Sequence, residues 1–183
     1  MKILVFSDSH GDSSTMCDIV SLCKKDTSLL IHLGDMCADF EMVKNFFPNI
    51  PFINVRGNND FFETDIESDV QISLSGINTF ITHGHRYGVK SGLSGISARA
   101  RATRSDLVLF GHSHQPLKEK RGDILYINPG SVSSRSGKPT FSVLEIDNFL
   151  IQSAEILTYD KVRNSVDFLR VPRWSVPLKK THF

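Results

Sequence analysis

Cysteine, net charge and long apolar runs are all scarce in this 183-residue chain. The three cysteines are odd in number and lack C-x-x-C spacing, which favours reduced thiols in the cytoplasm over a disulfide framework. No apolar run reaches the roughly 18 residues of a membrane-spanning helix, and the apolar stretch after Met1 is too short for a signal peptide. A formal net charge of +1 gives no support for a nucleic-acid binder. We therefore expect a cytoplasmic protein with no membrane anchor.

The hydrophobic content of 40% is sufficient for one sizeable core, so a single domain is the expectation at this length. The charge is distributed unevenly, because residues 158–183 have a balance of +4 and the remainder is acidic. Within that basic segment we predict a helix over residues 160–169, followed by an arm that contains Trp174. We find no internal repeat, low-complexity run or linker.

Short apolar runs typical of strands are separated by segments whose apolar residues have helical spacing. This pattern predicts an α/β domain. Met16, Ile19 and Val20 have the three- and four-residue spacing of a helix over residues 14–25, and Pro48 ends a second helix at 39–47. A third helix is predicted within residues 89–104. Strands are predicted at 3–7, 29–33, 52–55, 70–74, 79–82, 107–110, 124–127, 141–146 and 149–156. In α/β sheets, ligands bind beyond the carboxyl ends of the strands.

Metal-competent side chains follow several of these strands. They are Asp8, His10, Asp35, Asn58, His83, His112 and His114. Carboxylate, imidazole and amide donors without thiolate suit Mn²⁺, Fe²⁺, Zn²⁺ or Ni²⁺. Seven ligands are too many for one catalytic metal, but they fit two metals that share a bridging carboxylate. His32 lies inside a strand, so we interpret it as a core residue.

Some of these features also have simpler explanations. Asp8 alone would be an ordinary helix cap, and Gly57-Asn58-Asn59-Asp60 alone would be an ordinary turn. Five cations and no acid lie between His83 and Ser105. They could form a solvated helix face, or a rim that attracts an anionic substrate. The turn at residues 128–131 has amides and a hydroxyl that could face the site.

The motifs D-x-H, G-D, G-N, H-G-H and G-H-x-H occur in the order that resembles the calcineurin-like metallophosphoesterases. The small size and the Gly-Asn-Asn-Asp sequence are similar to the YfcE-type phosphodiesterase branch. The resemblance covers roughly residues 1–157. It implies a four-layer α/β/β/α sandwich of mixed sheets with a dinuclear site at one edge. Residues 158–183 remain as a basic C-terminal tail, packed on that domain or extending from it.

The resemblance also implies roles for individual residues. Asp8, His10 and His114 would hold the first metal, and Asn58, His83 and His112 the second. Asp35 would bridge the two ions. Asp60 would orient a ligand histidine, and His85 would lie behind the ligands or face the substrate. Asn59 replaces a family histidine near the leaving group, and an amide can donate a hydrogen bond there but cannot supply a proton.

The implied function is a metal-dependent phosphoesterase, preferentially a phosphodiesterase, in which a hydroxide activated by two metals attacks phosphorus. Mn²⁺ is the first choice of metal, ahead of Ni²⁺, Zn²⁺ and Fe²⁺. The expected substrate is a small phosphate ester or a nucleotide-like ester, and a homo-oligomer is compatible with the chain length. A nuclease of the same superfamily would need a long basic groove, for which only the +4 tail offers support. The main alternative is a protein-interaction scaffold of the same fold, as in the retromer-coat subunit, but the complete ligand set favours an enzyme.

Overall fold

A computed structural model describes residues 1–169 of the chain, which contain eleven strands, three α-helices and three 3-10 turns. The strands are β1 (Lys2–Phe6), β2 (Thr27–His32), β3 (Phe52–Asn54), β4 (Asp69–Leu74), β5 (Ile77–Thr82), β6 (Leu107–Leu109), β7 (Leu117–Arg121), β8 (Ile124–Asn128), β9 (Thr140–Asp147), β10 (Leu150–Asp160) and β11 (Ser165–Phe168). The α-helices are α1 (Ser13–Cys23), α2 (Cys37–Phe46) and α3 (Ser94–Ala102). Single 3-10 turns occur at His85–Tyr87, Val89–Ser91 and Ser134–Ser136.

The strands form two mixed sheets. The first has six strands in the order β11-β10-β9-β1-β2-β3, and the second has five in the order β4-β5-β6-β8-β7. Strands β1, β2 and β3 are parallel to one another in the first sheet, as are β5, β6 and β8 in the second. The outer strands β9, β10, β11, β4 and β7 pair in antiparallel fashion.

Alternation along the central strands produces four layers. In β1, Ile3 and Val5 point into the core between the two sheets, whereas Leu4 and Phe6 pack with α1 and α2. Strand β6 repeats the pattern, with Leu109 facing the first sheet and Val108 packing with α3. Because successive side chains of a strand point to opposite faces, each buried strand contributes to two cores. The predicted α/β/β/α sandwich of mixed sheets is confirmed.

The carboxyl ends of the parallel strands in both sheets meet at one edge of the sandwich. The amide of Asp8 donates to the carbonyl of Gly34 at 3.0 Å, which joins the loops after β1 and β2. The amide of Gly111 donates to the carbonyl of His83 at 3.0 Å, which joins the loops after β5 and β6. The polar residues predicted at strand ends are therefore brought to the same place.

The C-terminal helix predicted over residues 160–169 is wrong. Residues 158–160 complete β10, and β11 returns antiparallel to it, with Val166 opposite Tyr159. The side chain of Asp160 accepts hydrogen bonds from the amides of Val162 and Arg163 and so closes the connecting turn. Val166 packs into the core beneath α1 and α2, which stabilises a strand here. The predicted arm with Trp174 lies outside the described residues.

Three further predictions concern the third helix, His32 and membrane-spanning helices, and one strand was not predicted. Strand β7 was not predicted, and the helix expected within residues 89–104 begins as 3-10 turns and is α-helical only over Ser94–Ala102. His32 is fully buried and stacks on Phe40, as expected for a core histidine. Among the described residues, no helix is long and apolar enough to cross a membrane.

Candidate metal centre

The floor of the site is formed by Asp8, which follows β1. Its Oδ2 atom accepts hydrogen bonds from the Ser7 hydroxyl at 2.5 Å and from the backbone amide of His112 at 3.0 Å. Its Oδ1 atom is buried and has no hydrogen-bond partner among the described residues. A buried carboxylate oxygen without a partner is energetically costly unless a cation occupies the space beside it.

One group of donors surrounds that oxygen. The Nε2 atom of His114 lies 3.1 Å from Asp8 Oδ1, and the Nε2 atoms of His10 and His114 are 3.2 Å apart. The ligand atoms of these three residues all lie within 4.8 Å of one another. The geometry therefore brings together the three residues predicted for the first metal.

A second group lies on the side of β5. The Nε2 atom of His83 is 3.2 Å from Asn58 Oδ1 and 3.2 Å from His112 Nδ1. Asp35 joins this group, because its ligand oxygen and the ligand nitrogens of His83 and His112 lie within 4.8 Å of one another. The residues predicted for the second metal are thus also adjacent.

Asp35 lies between the two groups. Its Oδ1 atom is 3.5 Å from His83 Nε2, and its Oδ2 atom is 3.9 Å from His10 Nε2. The two oxygens of one carboxylate therefore face histidines of different donor groups, which is compatible with a bridging ligand.

The ring nitrogens of the second group, those of His83 and His112, suit cation binding. The Nδ1 atom of His83 lies 2.7 Å from the carbonyl oxygen of Leu33, which can only accept, so Nδ1 carries the proton and Nε2 is free to ligate. Burial, with a further contribution from the charge of Lys90, lowers the pKa of His112 to about 4, so this ring is neutral at pH 7. Burial opposes ionisation of Asp8, but its contacts with His114, His83 and Ser7 outweigh that effect and lower its pKa. The donor set and the partnerless oxygen of Asp8 together fit divalent cations.

Five of the ligand residues have left-handed backbone conformations. The φ angles are 55° at Asp8, 47° at His10, 63° at Asp35, 66° at His112 and 57° at His114. This region is uncommon for residues other than glycine and costs on the order of 1 kcal/mol or more each, so it persists where surrounding contacts enforce it. Backbone strain of this kind concentrates at functional sites.

Glycines allow the loops to approach one another closely. A Cβ atom on Gly57 would collide with the carboxylate of Asp35, and one on Gly111 would collide with the Ser7 hydroxyl. Either change would displace a carboxylate of the centre.

The structure places the three residues proposed for catalysis in different surroundings. Asp60 does not orient a histidine, because Oδ2 accepts from the amides of Asp35 (2.8 Å) and Gly57 (2.7 Å), and Oδ1 from the amide of Cys37 (2.8 Å). Asp60 therefore shapes the Asp35 loop. Such a role could not be inferred from sequence, because the backbone amides of any residue can serve as donors.

Asn59 is committed to Asp35. Its backbone amide donates to Asp35 Oδ1 at 2.9 Å, and its side-chain Nδ2 donates to Asp35 Oδ2 at 2.7 Å. His85 packs its ring 5.4 Å from that of His83, and its buried Nδ1 has no hydrogen-bond partner among the described residues. Roles of Asn59 and His85 in catalysis remain predictions.

Two supporting residues were missed in the sequence. The carboxylate of Asp39 accepts from the Ser9 hydroxyl at 2.8 Å and the Gly11 amide at 2.7 Å, which holds the loop that carries His10. The side chain of Asn128 donates to the carbonyl of Gly111 at 2.8 Å. The position of Asn128 at the end of a buried strand was the available signal, and the predicted turn after it does face the site.

The cationic stretch between His83 and Ser105 is not one surface. Arg86 lies 3.8 Å from Asp69, and Arg99 lies over the ring of Phe80 on the outer sheet face. The charge of Lys90 acts on His112 and His114, and that of Arg86 acts on His85. Arg99 packs on Phe80 instead, so the five cations do not form one rim around the site.

The fold and the two donor groups are those of a metal-dependent hydrolase, and the comparison with known proteins gives the family. Residues 1–148 match the model of the calcineurin-like phosphoesterase superfamily domain. The chain therefore belongs to the calcineurin-like phosphoesterase superfamily, and the resemblance drawn from its motifs is confirmed.

Individual relatives agree with this assignment. The chain is 30% identical over 172 residues to the probable metallophosphoesterase YsnB of Bacillus subtilis, covering 93% of this chain and 97% of the relative. It is 29% identical over 168 residues to a phosphodiesterase of Methanocaldococcus jannaschii, covering 80% of this chain and 94% of the relative. The crystal structure of Vps29 from Chaetomium thermophilum shares the fold, with a TM-score of 0.77, 17% identity, and coverage of 93% and 97% of the two chains.

Proposed function

We propose that this metallophosphoesterase hydrolyses small phosphodiesters with two divalent cations, for which Mn²⁺ is the first candidate ahead of Ni²⁺, Zn²⁺ and Fe²⁺. The observation that carries the proposal is the pair of donor groups, Asp8 with His10 and His114 and Asp35 with His83 and His112, in each of which the ligand atoms lie within 4.8 Å of one another. Asp8, His10 and His114 would hold one cation, and His83, His112 and Asn58 the other. Asp35 would contact both.

Two such cations supply Lewis-acid polarisation of phosphoryl oxygens and lower the pKa of bound water to about 7. Asp8 and His83 are fully buried, which places this charge chemistry in a poorly solvated floor where electrostatic interactions are strong. The side chains of His10 and His114 are 29% and 37% exposed, so the site opens to solvent on their side. A phosphate ester therefore approaches from the side of His10 and His114.

The protein groups beside the leaving group determine which esters react well. No imidazole occupies position 59, and the amide of Asn59 cannot protonate a departing alkoxide. We therefore expect aryl esters, whose leaving groups need no proton, to be better substrates than alkyl esters.

A protein-interaction scaffold is the second candidate, because Vps29 shares the fold. Ligand integrity argues against it, because every predicted ligand position holds a metal-competent residue and the three-dimensional arrangement converges. A scaffold with a weakened site would bind metal poorly and would not hydrolyse esters in the presence of Mn²⁺.

The proposal also covers the location of the enzyme, the class of its substrate and its oligomeric state. Three free cysteines support a cytoplasmic location. The near-neutral charge of the chain supports a small or nucleotide-like ester rather than nucleic acid. A homo-oligomer stays a prediction, as does the division into a domain at 1–157 and a basic tail at 158–183, of which the described part belongs to β10 and β11 of the first sheet.

The test is an activity screen on chelator-stripped protein. Phosphomonoesters, phosphodiesters and nucleotides are assayed with Mn²⁺ and without added metal, alongside the Asp35→Asn variant. We expect diester hydrolysis that requires added metal and is lost in the variant. Metal-independent turnover would contradict the proposal, as would the absence of ester hydrolysis in protein shown to contain two metal ions.

A further inference from the structure

The loop between β8 and β9 is fastened to the loop that carries Asp8 and His10. The amide of Val132 donates to the carbonyl of Ser7 at 3.0 Å, and the Ser131 hydroxyl donates to the carbonyl of Asp8 at 2.8 Å. These contacts join segments more than 120 residues apart in the sequence. The second loop therefore has a fixed position beside the first donor group.

Asp12 holds the same loop at Ser134, three residues after Ser131. Its Oδ2 atom accepts from the amide of Ser134 at 2.9 Å and from the Ser134 hydroxyl at 2.5 Å. Its Oδ1 atom accepts from the amide of Thr15 at 3.2 Å, which caps the start of α1. One carboxylate that is only 7% exposed thus holds both a helix terminus and the neighbouring loop.

This bracing determines the position of Arg135. Its amide donates to the hydroxyl of Ser133 at 3.3 Å, and its guanidinium Nη1 lies 3.4 Å from the carbonyl oxygen of ligand residue His10. A Cβ atom added to Gly11 would lie 3.5 Å from the same Nη1, so the guanidinium rests against the glycine that follows His10. Arg135 is therefore held at the side of the centre that opens to solvent.

The Arg135 guanidinium has N–H donors that the described residues leave available. Arg135 is exposed and forms no ion pair with any residue of the described chain, whereas Arg121 pairs with Glu119 at 2.7 Å and Arg86 with Asp69 at 3.8 Å. The contact with His10 uses one of five N–H donors. The remaining donors form the planar fork that binds phosphate oxygens in bidentate fashion.

We propose that Arg135 binds an anionic oxygen of the substrate phosphate on the side of His10 and His114. This assignment deepens the proposed phosphoesterase function and rests on it. Arg135 is a specificity residue in this account, because it supplies positive charge and directed donors at a place where the metal ligands supply neither. The Ser131, Ser134 and Asp12 contacts hold the backbone of this loop, and the contact with the His10 carbonyl places the guanidinium beside the centre.

The experiment measures phosphate binding and catalysis separately. Inorganic phosphate is titrated calorimetrically into Mn²⁺-loaded wild type, Arg135→Ala, Arg135→Lys and the matched control Arg121→Ala. Hydrolysis of bis(p-nitrophenyl) phosphate and Mn²⁺ content are measured on the same samples, and thermal melting checks the fold.

We expect Arg135→Ala to weaken phosphate binding by about tenfold or more and to raise KM more than it lowers kcat. Arg135→Lys should recover part of the affinity, because it restores charge without the fork. Arg121→Ala should match wild type, and all variants should retain the same Mn²⁺ content and melting temperature.

Several outcomes would overturn the assignment. A phosphate dissociation constant for Arg135→Ala within twofold of wild type would make Arg135 a solvated surface residue. An equal loss of phosphate affinity in Arg121→Ala would show that the effect comes from the overall charge of the protein and not from Arg135 itself. Failure of wild type to bind phosphate would also exclude the subsite. If no ester is hydrolysed but phosphate binding still depends on Arg135, the proposed function fails and the anion site stands.

Discussion

The Nδ1 atom of His83 donates a hydrogen bond to the carbonyl oxygen of Leu33, 2.7 Å away and 50 residues earlier in the sequence. This bond joins the loop after β5 in one sheet to the loop after β2 in the other. It also fixes the tautomer of the ring, because a carbonyl cannot donate, and so leaves the Nε2 atom available as a ligand beside Asn58 and Asp35. The packing of the two sheets thus determines the ligand state of this histidine.

The first prediction concerns metal stoichiometry. We expect His83→Ala to bind about one Mn²⁺ ion per chain in place of two and to lose at least about 100-fold in diester hydrolysis. The measurement is elemental analysis after gel filtration, together with initial rates. His85→Gln is the matched control, since His85 lies against His83 and His112 but belongs to neither donor group, and it should retain both ions. Two ions bound with full affinity by His83→Ala would contradict the assignment.

The second prediction concerns the shared carboxylate. Asp35→Asn keeps the size of the side chain but removes the charge that both donor groups face, so hydrolysis should fall by roughly 100-fold or more. Asp39→Asn is the comparison, because Asp39 is a buried acid of the same region that contacts Ser9 and Gly11 and belongs to neither donor group. It should lower the free energy of unfolding by about 1–3 kcal/mol and lose far less activity than Asp35→Asn. An Asp35→Asn variant as active as wild type would remove the dinuclear interpretation.

The third prediction concerns leaving groups. Wild type should hydrolyse aryl phosphodiesters faster than alkyl ones, with a rate that falls as the pKa of the leaving alcohol rises. Asn59→His should raise turnover on alkyl esters by about tenfold or more, since an imidazolium can donate a proton, while aryl rates change little. Asn59→Ala controls for loss of the bond to Asp35. A wild-type rate independent of leaving-group pKa would refute this account.

The fourth prediction concerns alkaline pH. Burial of the Tyr87 phenol and its hydrogen bond to Asp69, at 2.6 Å, raise the pKa of Tyr87 to about 12. A pKa raised above the unfolded value of about 10 adds stability that is complete below pH 10 and lost as the pH rises toward 12.

Wild type should therefore lose more unfolding free energy than Tyr87→Phe between pH 10 and pH 12. Urea unfolding at a series of pH values measures this difference, and phenolate absorbance follows the ionisation directly. Parallel stability curves for the two proteins would show that the Asp69 contact does not perturb the phenol.

The sequence predicted the residues of the metal centre more completely than the strands that surround it. Each ligand follows a short apolar run, so the strand and its terminal residue could be identified together, and Asp8 and His112 were predicted this way. Strand β7 (LKEKR) was not predicted, because its charged residues give no apolar run and it forms by pairing with β8. Strand β11 was misread as a helix because its pairing with β10 and the burial of Val166 are tertiary contacts.

The sequence by itself determined which side chains can bind cations and in what order they occur along the chain. Only the tertiary structure decided what each supporting group contacts. Asp60 binds backbone amides, Asp12 holds the loop of Ser134, and Arg135 lies beside His10, although these partners are up to 125 residues apart. The physical reason is that strand-forming patterns depend on local residue order, whereas hydrogen bonds between loops depend on how two sheets pack.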